Sequence, residues 1–425
     1  MTYYDNDALA SVIAPDPDGT GSLGVLETTY IYDDLGRQTQ TILPDANSIY
    51  TVYNEKGQVE KTYGSQQNPV EYTYDYAGRQ KTMTTWQDFN ESTGVGISGA
   101  AETTWIYNPQ RGWLDRKEYD DGNGTTYTYT PGGRLASRTW ERGVTTNYAY
   151  NSAGDLLAVD YDDSGVTPDI HYTYTRTGQQ DIVSEGQYAT AAFIAGDSFT
   201  PSLAPTLLTV ERSTDYDYNA RFQVETETIS GLLTSDAVLT RIYEDGTETN
   251  GLIGRAEGYS FAGGTTSVSS ATYGYETTSR LQTVTDGTDT FTYAYEPNSN
   301  LLASLTAPQH TVDYSYEPNR NAMTVIDNKL SRATTSLSTY TYTYDSIGRR
   351  ADSEQSGTAF SQTNKDTFAY NTRSEVEGST NDLTTAAEFN PTYTYDQIGN
   401  RKTSVGEGSS LDPLSPTTYT ANELL

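Results

Sequence analysis

The stretch Thr341–Arg350, TYTYDSIGRR, decides how the rest of the chain is read. Tyr342 and Tyr344 stand two residues apart, the β period, so both rings leave one face of a strand while Thr341 and Thr343 leave the other. Asp345 opens a turn and Gly348 closes it. Asp first and Gly fourth suit a type I turn, where the carboxylate accepts from nearby backbone and Gly takes the strained dihedral. Arg349 begins the return strand, so ten residues spell one β-hairpin.

Working outward, the same unit recurs. On the N-terminal side stand Tyr32-Asp33-x-x-Gly36-Arg37, Tyr53-Asn54-x-x-Gly57 and Tyr74-Asp75-x-x-Gly78-Arg79, each 21 residues after the one before. Tyr107-Asn108, Tyr129 with Gly133-Arg134, Tyr150-Asn151 with Gly154, and Tyr174 with Gly178 continue the series. The signature fades over 184–215 and 245–272, read as irregular or diverged repeats, with Tyr243 a weak copy and Gly251–Ser270 as strands lacking the motif. It returns at Tyr275, Tyr295 and Tyr316, two of these followed by Glu-Pro-Asn, where Pro presets the first turn dihedral and ends the strand. Tyr370-Asn371 and Tyr395-Asp396-x-x-Gly399 follow the reference unit. The first copy is read at Tyr4-Asp5, and Gln87–Ala101 as a surface loop. The last copy starts at Tyr419, just before the chain stops at Leu425, and the expectation is a single array over 1–425 that belongs to a longer protein.

Composition alone would argue for disorder, since Leu, Ile, Val and Phe make up about one residue in six and the net charge is −31. The 37 tyrosines reverse that reading: placed at period 2, each can bury a ring while its hydroxyl keeps a polar partner. Without cysteine there is neither a disulfide framework nor a thiolate metal site. No stretch approaches a membrane-spanning run, and no basic-then-apolar leader is present, so membrane insertion is not expected. Acidity spread along the whole chain repels nucleic acid, which is excluded as a partner.

No 3.6-residue apolar periodicity is sustained, so the fold expected is all-β: repetitive antiparallel hairpins in one long sheet. About sixteen units of two strands give roughly thirty strands, against the about ten that an open sheet holds without curling. Accumulated right-handed twist then coils the sheet around a hollow interior.

This unit at this spacing resembles the YD-repeat, or Rhs, family, and the likeness runs through nearly the whole chain. The resemblance implies a β-sheet spiralling into a large hollow shell or barrel. In bacterial Rhs proteins and the C component of Tc toxins the shell encloses a toxic C-terminal segment; in the similar teneurins it is an extracellular adhesion barrel. Toxin-bearing relatives carry a DPxG-type cleavage signature, whereas Asp412-Pro413-Leu414 lacks the Gly, so no cleavage residues are assigned. The function implied is a non-catalytic structural shell segment that encapsulates or displays a C-terminal cargo such as a toxin. Its partners would be the remainder of its own longer polypeptide and that cargo, and its place extracellular or at the cell surface by the parent's export route. The alternative is an adhesion or carbohydrate-binding module, with a carbohydrate or cell-surface protein as partner and Tyr rings as stacking platforms.

Catalytic residues are not assigned. Asp33, Asp75, Asp345 and Asp396 could be read as glycosidase carboxylates, but an active site needs one special constellation and these recur with the turn. Arg37, Arg79, Arg134 and Arg349 are expected to pair with a neighbouring turn's carboxylate. No cofactor is expected, with calcium the one candidate: Asp16-Pro17-Asp18-Gly19 and the loop holding Asp160, Asp162 and Asp163 alternate carboxylates before a Gly, as oxygen coordination requires. Neither loop is followed by the Glu that closes an EF-hand, so solvated turns are the stronger reading. His171 and His310 stand alone and support neither a metal site nor a triad.

Overall fold

The computed structural model describes residues 1–163, 165–188, 207–231, 235–247, 251–263, 269–330, 334–383, 390–397, 399–406 and 417–418. Among these no helix occurs. Thirty-three strands belong to one antiparallel sheet, beyond what a flat open sheet sustains, as the repeat count requires. Consecutive strands pair with each other; no ladder joins the first strand to the last among the described residues, so closure into a barrel is not seen.

The reference hairpin shows why these residues fold this way. Strands Ser336–Tyr344 and Arg350–Ser356 flank the turn. The Asp345 N–H donates to Arg349 O at 2.9 Å and the Gly348 N–H to Asp345 O at 3.1 Å, a type I turn followed by a residue at positive φ. Gly348 has φ +95, with nothing within 4 Å of a would-be Cβ, so it is backbone strain that selects glycine there. Register then slips between Thr343 and Tyr344, because Thr343 faces Asp352 while Tyr344 faces Arg350, which leaves Ala351 as a bulge. The same slip falls at Tyr32, Tyr53, Tyr74, Tyr129 and Tyr150. A bulge that recurs from copy to copy is a designed part of the unit.

The described chain divides into two compact units. The first comprises residues 1–105, 118–123 and 293–422, and the second mainly 124–292. Within the second, the diverged stretch is regular strand: Gln180–Tyr188 pairs directly with Leu207–Tyr218, and Ala256–Gly263 with Ser269–Tyr275. Residues 189–206, 248–250 and 264–268, within the stretches expected to be irregular, lie outside the described residues. So do Asp412-Pro413-Leu414 and Tyr419. The few fully buried apolar groups include Ala149, Ala158 and Tyr188, packed together with Leu207 beside them. A sheet with so little deep core rests on ladders and side-chain bonds.

Two local expectations are corrected. The segment Gln87–Ala101 is no plain loop: Asp88–Asn90 and Val95–Ser98 form a small hairpin of their own. Phe89, buried, lies 5.6 Å from the Tyr63 ring and 5.3 Å from Trp86, an apolar anchor that alternation hides in so short a strand. In the first copy the turn opens at Tyr4 instead of Asp5. Tyr4 N–H donates to Ala8 O, and Asp7 takes the positive-φ place with φ 63, as Asp tolerates.

Candidate functional site, the repeated turn and its seam

Each motif residue has one recurring task. The Asp33 carboxylate accepts from the backbone N–H of Leu35 at 3.0 Å and of Arg37 at 2.9 Å, while its other oxygen takes the Arg37 Nε at 2.8 Å. Asp75 with Arg79 and Asp345 with Arg349 repeat the pair. Arg37, Arg79 and Arg349 therefore bind their own turn's Asp, four residues back, and not a neighbouring carboxylate as expected. Arg134, whose turn has Thr130 in the Asp place, lies with its guanidinium 5.4 Å over the Tyr150 ring. What they offer the neighbour is the far end of the guanidinium. Arg349 Nη1 donates to Asn371 O at 2.7 Å, and its guanidinium lies 4.6 Å over the Tyr370 ring; Arg37 does the same toward Asn54 and Tyr53. The Arg37 bonds hold the Asp33 carboxyl below its ordinary range; at Asp75, burial pushes up but the Arg79 bonds outweigh it.

The pair also survives substitution. Asn54 with Gln58, Asn151 with Asp155, Asn219 with Gln223 and Asp396 with Asn400 bond across the same four residues. At the weak copy, Glu244 and Arg255 close the turn with the same two backbone bonds, although residues 245–253 intervene. The signal there was Gly254-Arg255, displaced from Tyr243-Glu244 by the insertion.

The motif Tyr ties each hairpin to the one before. Tyr53 Oη donates to Gln38 O at 2.8 Å, Tyr74 to Val59 O at 2.6 Å, Tyr150 to Leu135 O at 2.9 Å, Tyr344 to Met323 O at 2.5 Å and Tyr395 to Val376 O at 2.8 Å. Every acceptor is the residue that opens the preceding return strand, next to the bulge. Burial raises the Tyr74 and Tyr316 hydroxyls above their usual range, which keeps them protonated donors. On the other face, threonines between the paired tyrosines bond across strands, as Thr73 Oγ1 to Thr82 Oγ1 at 2.6 Å.

Within the first unit the chain also meets itself. Call residues 1–101 the first strip and 293–406 the second. Motif turns of the second strip dock on the opposite-edge turns of the first, 274 to 306 residues away. The Asn298 N–H donates to Pro17 O and Asn298 Nδ2 to Asp16 O. Arg320 lies 3.6 Å from Asp45. Ser346 O accepts from Gln66 N–H and from Ser65 Oγ. Thr372 Oγ1 donates to Trp86 O, Arg373 Nη2 to Gly99 O, and Ser374 Oγ to Asn68 Oδ1. This seam uses turn-tip residues outside the motif and backbone acceptors, so sequence reading missed it.

The calcium candidates serve their loops. Asp16 Oδ1 accepts from the Asp18 and Gly19 N–H groups; Asp18 accepts from Gly21 and Leu23, and the Leu23 bond leads in holding its carboxyl below the ordinary range. Asp160 binds Asn147 Nδ2 at 2.9 Å, with burial raising its carboxyl, and Asp163 caps Val166 and Thr167. Asp162, its N–H on Thr145 O, follows the strand end at Tyr161. Among the described residues no three His, Asp or Glu gather where they could hold a metal ion. His171, half-buried, shares a 2.9 Å bond with Tyr188 Oη, and His310 opens a strand; neither joins a catalytic constellation among the described residues.

Fold and turn chemistry together define a long antiparallel array of Tyr-Asp hairpins. No family model and no curated protein matches the sequence. Among solved structures the chain is similar to the Photorhabdus luminescens Tc holotoxin pore with a TccC3 mutation, at 14% identity and TM-score 0.50, over 92% of this chain and 22% of that one. The crystal structure of TcdB2-TccC3 is similar at 13% identity and TM-score 0.43, over 98% and 29%. The likeness to the Tc holotoxin structure thus holds as fold, and the chain spans less than a third of each of these two solved chains.

Proposed function

We propose that this chain is a non-catalytic wall segment of a toxin-associated YD-repeat shell, enclosing or displaying cargo carried by a longer polypeptide at or outside the cell surface. The seam supports this best: a sheet whose turns dock on its own opposite edge can build a wall without a second layer behind it. Hairpins are tied forward by Arg at Arg37 and Arg349 and backward by the motif Tyr, so the wall keeps few free backbone groups. The recurring chemistry of the turn is spent on its own closure, which favours a structural role over a catalytic one. The Tc holotoxin pore is similar in fold, and its components give the class of partner proposed here.

The test is limited proteolysis and electron cryo-microscopy of the longest parent protein beside this chain. Containment predicts cargo density and protease protection inside the parent, lost when the wall is opened by substitutions at the seam. Cargo digested equally in both would refute it and leave adhesion or carbohydrate binding as the reading to pursue.

A further inference from the structure

The weak copy at Tyr243 differs from the others across its ladder. Strands Ala237–Tyr243, Ala256–Gly263 and Ser269–Tyr275 pair in succession within the second unit. In regular copies the motif Tyr faces a long side chain: Tyr32 faces Gln38, Tyr74 faces Gln80, Tyr129 faces Leu135 and Tyr344 faces Arg350. Arg350 shows what such a side chain covers, its guanidinium lying 4.0 Å over the Tyr342 ring. Tyr243 faces Ala256. Two residues on, Gly258 admits no side chain either, because Ala271 O lies 2.2 Å from where a Cβ would stand. Beside these two small residues is an open cleft of about 430 Å³, lined also by Leu239 and Tyr243, enough for a short peptide segment.

The polar groups of the cleft are uncommitted. Tyr259 and Tyr273 line it, and among the described residues neither hydroxyl has a hydrogen-bond partner, unlike the motif tyrosines. Arg241 lines it too, with Nε and Nη2 both on one carboxylate oxygen of Glu227. Its charge is thereby answered, while Nη1 has no partner among the described residues.

We propose that this cleft binds a proline-bearing, extended stretch of a partner polypeptide. Two phenol O–H groups and a guanidinium N–H are donors in want of acceptors. An ordinary peptide brings N–H groups as well, which the cleft leaves unpaired. A proline run brings carbonyls alone, and its polyproline II form is already extended, so little ordering is left to do on binding. Its rings suit a slot between tyrosines, the way aromatic-lined grooves take such segments. They would fill the space that Gln, Leu or Arg fills in regular copies. Because Glu227 neutralises Arg241, a neutral ligand fits better than an anion. The site holds whether or not the wall encloses cargo.

The test is saturation-transfer NMR and calorimetry of the full chain with blocked tetraproline, blocked tetraalanine and methyl β-glucopyranoside. Tetraproline is expected to bind, with transfer strongest at its ring protons, and at least about tenfold more tightly than tetraalanine. Ala256→Gln restores the residue of the regular copies, so it should fill the cleft and weaken tetraproline at least about tenfold. Melting should match the parent chain, since Ala256 is exposed. Should that variant melt lower, the double variant Tyr259→Phe, Tyr273→Phe keeps both rings, removes both donors and should show a loss of about tenfold in its place. Absence of tetraproline binding overturns the proposal. So does binding that survives both variants, which would put it elsewhere on the chain. Equal affinity for tetraalanine would remove the donor argument, and preference for the glucopyranoside would assign the cleft to carbohydrate; either result overturns the proposal as well.

Discussion

Two turns of the same design behave differently. In Asp75–Arg79 the Asp75 N–H donates to Arg79 O at 2.9 Å and the Gly78 N–H to Asp75 O at 3.1 Å. In Asn371–Glu375 the matching bonds run at 3.1 and 3.0 Å. Yet the first points Tyr76 into solvent, and the second is buried at Asn371 and reaches Trp86, Gly99 and Asn68 through consecutive tip residues. The left-handed place shows the trade: Gly78 has φ +82, whereas Ser374 holds φ 66, a strain its bond to Asn68 offsets. Closure is intrinsic to the motif. Docking is written in the residues between Asp and Gly.

The largest expected effect breaks the docked turn alone. Arg373→Ala removes the bonds to Gly99 O and Gln397 O and should lower stability by about 1.5–3 kcal/mol, whereas Lys56→Ala in an open turn should stay within about 0.5 kcal/mol. Denaturant melts of both variants check the gap, and equal losses would erase the distinction between the strips. Next, Gly348→Val and Gly36→Val should each cost about 1–2 kcal/mol, because both glycines have positive φ and open space around the Cβ position. Equal values would isolate the intrinsic part of the turn; unchanged melting would count against the turn assignment itself. Smaller still, Tyr344→Phe and Tyr53→Phe should lose about 0.5–1.5 kcal/mol each, the worth of one hydroxyl-to-carbonyl bond, in docked and open strips alike.

The gentlest perturbation is acid, and it separates the units. His171 has its folded pKa lowered by burial, so between that value and 6.5 the unfolded chain binds more protons, and stability is full above 6.5 and falls as pH drops below it. Asp33 and Asp75 are held below 3.8, so their share is present above 3.8 and is lost only as pH falls through the folded values. Melting followed by pH should therefore show a first decline beginning near 6.5 that His171→Gln removes, and a second below 3.8 that it leaves in place.

The hairpins, their period and the glycines at positive φ were legible in the sequence, because each needs a particular residue at a particular offset. The all-β sheet followed from them. What stayed hidden was every bond whose acceptor is a backbone carbonyl: any residue supplies one, so Gln38, Val59 and Met323 carry no mark of accepting a tyrosine hydroxyl. The seam was hidden twice over, by such acceptors and by tip residues that vary freely between copies. The arginine partner was misread because a neighbouring turn and the residue four back look alike in a repeat, and only geometry separates them. At Glu244 and Arg255 the pair was overlooked since the eye seeks fixed spacing, whereas the turn requires only that its two ends meet.

That last turn has a consequence for engineering and for descent. Its closing bonds hold although residues 245–253 occupy the place where the regular copies, such as Asp345–Arg349, have two residues. The ends of the hairpin are clamped by the Glu244–Arg255 pair, so whatever is spliced between them hangs from a fixed base without disturbing the strands on either side. Each Asp–Arg clamp is thus a ready socket for grafted peptide, and a lineage built from such units can diversify one loop at a time while its scaffold stays unaltered.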